Sequence, residues 1–141
     1  MRSAAAAFLA LILALISAGA PPAWAQSIGE LVDRGAAMTA AELKALLPGA
    51  DFSGPASTVT WDLHLWPNGA LTGFQIGSPV TFPVTGDWGI DEAGRFCFFS
   101  AGTRGYRVRR CAFVFRLGAS HYLAPAPDDR MASPIKVKFA R

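Results

Sequence analysis

The chain has 141 residues, a formal net charge of +3, and a composition that is 52% hydrophobic but only 16% charged. So small a basic excess is too little to argue for a nucleic-acid partner. Ten Phe, fourteen Gly and ten Pro suit short strands joined by tight turns.

The first 25 residues read as a targeting segment. Arg2 supplies a positive start, Ala4 to Ala20 is apolar without a charge, and Pro21-Pro22 precede Ala23-Trp24-Ala25. That order is the secretory signature and places cleavage before Gln26. The rival reading is a retained membrane anchor, because the apolar run is long for a signal peptide. No cysteine follows the run, which argues against a lipoprotein anchor. Cleavage leaves 116 residues, one domain of ordinary size, and the loss of Arg2 lowers the net charge from +3 to +2. The expected location is periplasmic or secreted, with no membrane span after cleavage and no nucleic-acid partner.

Residues 26–37 form a leader in which Ile28, Leu31 and Val32 have helical spacing, and two readings stay open: two helical turns packed on the body, or a mobile segment. The single β-rich domain spans 38–141 and opens with a helix over Met38 to Pro48. Thr39 and Glu42 form a capping box, Leu43, Leu46 and Leu47 make an apolar stripe, and Pro48-Gly49 ends the helix. Thr58 to Trp66 alternates strictly, with Val59, Trp61, Leu63 and Leu65 on one face, and Pro67-Asn68-Gly69 turns the chain. Pairing Leu65 with Ala70 sets Leu63 against Thr72, Trp61 against Phe74 and Val59 against Ile76. That register gathers the large apolar residues on one face. Ser78 to Pro83 reads as a loop or edge segment because of its prolines. Val84 to Ile90 is a strand, and Asp91 to Gly94 turns it into Arg95 to Ser100.

The next hairpin carries both cysteines. If Cys97 faces Cys111, the hairpin centres on Arg104, where A-G-T-R-G supplies two glycines. Spacing and turn chemistry therefore agree on one structural disulfide. Closing a loop of about 15 residues stabilises a fold by roughly 3 kcal/mol in the loop-entropy account. Which face the cysteines occupy stays open, since both faces mix apolar and cationic residues. Leu117 to Ser120 turns again, His121 to Ala124 returns, Pro125 to Pro134 is a loop, and Ile135 to Phe139 reads as an edge strand guarded by Lys136 and Lys138. The elements predict a mainly β fold: an antiparallel meander closing into a small closed or half-open barrel, with a short N-terminal helix packed on it. A flat sheet covered by a helix is the alternative.

Chemistry-bearing patterns are sparse. There is no P-loop, dinucleotide fingerprint or zinc pattern, so no cofactor, metal or catalytic set is expected. Asp62 and His64 share a strand face and could orient an imidazole for acid–base work. Arg104, Arg107, Arg109, Arg110 and Arg116 crowd into one arm beside Tyr106. Forked guanidinium donors there suit an anionic envelope component or an acidic protein. Trp66 at a hairpin tip is a candidate contact residue.

The run G-D-W at 86–88, D-E-A-G-R-F-C at 91–97, Cys111 and G-A-S-H-Y at 118–122 resembles a group of small bacterial exported domains with no assigned activity. Pro48-Gly49, Trp61, Asn68-Gly69 and Gly73 fit the early part of that pattern. Gly-x-Trp is also similar to the first-strand signature of lipocalins, although here it falls mid-chain. Gly118 to Tyr122 resembles the inserting loop of one-disulfide periplasmic lysozyme inhibitors, which would make Tyr122 a partner contact. The expected function is a non-enzymatic exported binding or envelope-associated module with one structural disulfide. The alternatives are a periplasmic lysozyme inhibitor, or a small hydrolase using Asp62 and His64.

Overall fold

The computed structural model describes residues 27–77, 80–102, 105 and 107–141. The targeting segment, Arg104 and Tyr106 lie outside the described residues. In chain order the elements are α1 (Ile28–Arg34), β1 (Ala36–Ala37), α2 (Ala40–Leu46), β2 (Ala50–Ala56), β3 (Val59–Leu65), β4 (Ala70–Ile76), β5 (Thr81–Ile90), β6 (Phe96–Gly102), β7 (Arg107–Leu117), β8 (Ser120–Ala124) and β9 (Ile135–Ala140). Strands β2 to β8 each pair antiparallel with the next, except that β9 inserts between β8 and β2 and closes the ring. The result is an eight-stranded antiparallel barrel with the short β1 added to β7.

The interior follows strand alternation. Phe52, Trp61, Leu63, Leu65, Leu71, Val84, Phe96, Phe98, Val114 and Val137 are all buried in one cluster. Phe52 packs against Phe96 at 5.6 Å, Phe98 at 5.9 Å and Phe139 at 5.4 Å between ring centroids. Such pairs add to the roughly 1.5–3 kcal/mol that burying each large apolar side chain contributes.

Helix α2 caps one barrel end. Its capping box is formed as the sequence predicts: the Thr39 hydroxyl accepts from the Glu42 amide, and the Glu42 carboxylate accepts from the Thr39 amide at 2.8 Å. Leu43 and Leu47 are fully buried against the barrel core. The Glu42–Arg116 ion pair and an Arg141 guanidinium donating to the Ala45 carbonyl tie the cap to β7 and the chain end. Helix α1 instead docks on the outer wall. Ser27 caps it, and Ile28 and Leu31 form a second small core with Phe115, Tyr122 and Ala124. The leader is therefore packed structure from Ser27 onward.

Three readings of the sequence are corrected. The β3–β4 register lies one residue from the expected one: Leu65 pairs with Leu71, Leu63 with Gly73 and Trp61 with Gln75. The cause is the turn. Gly69 adopts φ +88°, its amide bonds the Trp66 carbonyl at 3.0 Å, and Trp66 bonds Ala70 at 2.9 Å. That is a β-turn closed by a left-handed glycine, a three-residue loop rather than a four-residue one. Phe74 and Ile76 consequently point outward and are exposed.

The second correction is β2, a strand that the sequence pattern does not predict. Gly54 belongs there because a Cβ would come within 2.7 Å of Val137. Pro55 is tolerated because the β2–β9 ladder covers only Asp51 to Ser53, so no partner needs its missing amide. Pro83 is accommodated similarly: β5 begins at Thr81, but its ladder with β6 starts at Val84. The third correction is β9. It is not an edge strand, because it pairs on both sides and closes the barrel.

Candidate ligand site

The cysteine hairpin forms in the expected register. Cys97 pairs with Cys111 and the two are joined by a disulfide, with Cα atoms 4.1 Å apart. The open question of its face is settled by burial. Phe96, Phe98, Val108, Ala112 and Val114 point inward and are buried, so the disulfide lies on the outer wall. The Asp91 carboxylate accepts from the Arg95 backbone and side chain at 2.8 Å each, which holds it below the usual carboxylate range. Asp91 also lies 3.8 Å from the Cys97 sulfur. A disulfide sulfur has no proton to donate, so this is a contact only. With both sulfurs committed to the bridge, Asp91, Cys97 and Cys111 do not make a metal-ligand set.

The barrel wall opens beside this hairpin. Strand β7 begins at Arg107, but β8 pairs only with Phe113 to Leu117. Strand β2 likewise runs past the end of its ladder with β9. Between these two unpaired stretches lies a cavity of about 380 Å³. Its floor is the core itself, with Phe52, Trp61, Phe98 and Leu123 buried, and Ile135 completes one side. Among the described residues its only charged lining groups are Arg109 and Arg110. Arg110 occupies an inward register position, opposite Phe98, yet is exposed because β8 has ended before reaching it. The volume falls within the range of small-molecule sites.

Trp61 stands edge-on to Phe98 at 5.6 Å. Its Nε1 is buried with no hydrogen-bond partner among the described residues. An orphaned donor of this kind costs about 1–3 kcal/mol, which the surrounding packing offsets.

The sequence candidates divide as follows. Arg107, Arg109 and Arg110 are exposed and enter none of the ion pairs among the described residues. Arg116 is engaged with Glu42 at 3.2 Å, at the capped end. Trp66 is 46% exposed, donates to the Thr72 hydroxyl at 2.9 Å, and packs edge-on to His64 at 4.3 Å. It lies far along the chain of strands from Arg110, on the outer wall. Tyr122 is 2% exposed and sits in the small core under α1, so it is not a surface contact. Gly118 and Ala119 form a short turn between β7 and β8, not an inserting loop.

His64 does not use Asp62. Its Nδ1 lies 2.7 Å from the Asp51 carboxylate, its register partner on β2. Asp51, Asp62 and His64 border a groove of about 480 Å³ on the outer wall of β3 to β5. His121 lies near the cap, edge-on to Phe139 at 5.4 Å. Burial lowers its pKa from 6.5, and Arg116 lowers it further. No helix among the described residues is long and apolar enough to cross a membrane.

The cavity was missed from sequence because it arises where two ladders end early. The signal available was the excess length of Arg107 to Leu117 over its partner Ser120 to Ala124. Comparison with protein-family models, with curated proteins and with solved structures gives no match.

Proposed function

We propose that this protein is an exported, non-enzymatic binding module that holds an anionic partner at the arginine-bearing end of its barrel. The observation that carries the reading is the set Arg107, Arg109 and Arg110. Three exposed guanidinium groups follow one another on a strand pinned by a disulfide, and no carboxylate among the described residues neutralises them. A guanidinium left without an internal partner is free to fork onto carboxylate or phosphate oxygens. The disulfide supports an oxidising compartment, as expected for a protein outside the cytoplasm.

The test is retention on immobilised dextran sulfate against neutral dextran, with rising salt. The wild type is expected to bind the sulfated matrix and to elute as ionic strength shortens the Debye length. The triple variant Arg107→Gln, Arg109→Gln, Arg110→Gln is expected to pass through unretained. Equal retention of the variant, or retention indifferent to salt, would overturn the reading.

A hydrolase reading would rest on the Asp51–His64 pair at 2.7 Å rather than on Asp62. Ester or glycoside turnover abolished by His64→Ala would favour it over a binding role.

A further inference from the structure

The arginine set and the cavity share two residues, and that overlap narrows the ligand. We infer that the open barrel end takes a small single-headed amphiphile, whose apolar body enters the cavity while its carboxylate or phosphate head meets Arg110 and Arg109. This deepens the anion-binding reading and rests on it.

Three observations lead there. First, the cavity's floor is continuous with the aromatic core: Phe52, Trp61 and Phe98 line it and are themselves buried. A flat electrostatic patch for a polymer would need no such depth. Second, the charge is one-signed. Among the described residues that line it only Arg109 and Arg110 are charged, and none is an acid. An apolar chamber with two cations at its rim complements a molecule with an apolar body and one anionic end. Third, Arg110 is placed by register rather than by chance exposure. It takes an inward position between Val108 and Ala112, both buried, and the disulfide at Cys111 fixes the adjoining backbone. Its guanidinium therefore belongs to the cavity mouth, whereas Arg109 borders both the cavity and the shallower depression beside Asp91 and Cys97. At about 380 Å³, the chamber suits a medium-length acyl chain or a pair of rings, not a long lipid.

The experiment compares decanoate, decyl phosphate and decanol by calorimetry, with the fluorescence of a Trp66→Phe, Trp88→Phe background as a second readout for Trp61. Saturable one-site binding of decanoate or decyl phosphate is expected, at least tenfold tighter than decanol; which of the two anions binds better identifies the head group. Arg110→Gln is expected to remove that preference while leaving the weak binding of decanol. Ile135→Trp, which places bulk in a half-buried cavity wall, is expected to weaken all three, with unchanged circular dichroism confirming that it folds. Should Ile135→Trp unfold, the Arg110→Gln comparison alone decides. Anions binding no better than decanol, or a preference untouched by Arg110→Gln, would overturn the inference. If dextran sulfate still binds in an arginine-dependent way while decanoate and decyl phosphate do not, the anion-binding reading stands and the amphiphile falls. If neither binds, both fall.

Discussion

The two ends of the barrel are built on opposite principles. At one end α2 lies across the opening, with Leu43 and Leu47 fully buried, its capping box complete, and Arg116 and Arg141 tied to the helix. At the other end the strands outrun their partners, the core is reached through a cavity, and Arg109 and Arg110 face no acid within it among the described residues. Arg116 and Arg141 at the capped end have internal partners, whereas Arg109 and Arg110 at the open end enter none of the ion pairs among the described residues. Stability should therefore reside mainly in the first and binding in the second.

The sharpest way to break that contrast is Leu47→Ala. Leu47 is fully buried, and removing such a side chain costs about 2–5 kcal/mol. Chemical denaturation should show a lower midpoint. A change below about 1 kcal/mol would mean that the cap is not what holds the barrel.

Acid is a gentler probe of the same end. Burial and then Arg116 depress the His121 pKa, so the folded state favours the neutral ring. Its contribution is complete above 6.5, the ordinary value, and is lost as pH falls from there toward the depressed folded value. Glu42 adds a second step. The Thr39 amide and hydroxyl, then Arg116, lower its pKa, so its contribution is present above 4.5 and disappears as pH falls through the folded value. Melting temperature should decline from pH 7 to 5 and again below 4.5, and His121→Gln should flatten the first decline only. An unchanged profile in that variant would remove His121 from the account.

The smallest effect is expected at the open end. Glutamine at Arg107, Arg109 and Arg110 should leave stability within about 0.5 kcal/mol, as for exposed sites without partners. A larger loss would show that these arginines hold the fold and would blur the contrast between the ends.

Features encoded locally were legible in the sequence. The capping box needs only Thr39 and Glu42, and the disulfide needs only the spacing of two cysteines around a glycine-flanked turn. Features set by a partner elsewhere were not. The β3–β4 register turned on the backbone of Gly69, which a choice among Asn-Gly turn types does not reveal. Strand β2 was hidden by Gly54 and Pro55, whose presence makes sense only once Val137 and the short β2–β9 ladder are known. Two lysines at alternate positions made β9 look like an edge, yet it is flanked on both sides. Tyr122 looked like a contact residue because nothing in its neighbourhood tells that α1 covers it. The aromatics and arginines of the cavity were visible one by one, but their meeting depends on where two ladders stop.

The position of β9 also governs the order in which the molecule can be completed. Asp51 near the start of the ring pairs with Ala140 near the end of the sequence, and that ladder is the one that closes it. Hairpins such as Cys97–Cys111 join residues close in sequence, whereas the closing ladder joins Asp51 to Ala140 and bears the entropy of a far longer loop. Until it forms, β2 and β8 are bare edges able to recruit another molecule's strand. Once β9 lies between them, those edges are paired along its two ladders.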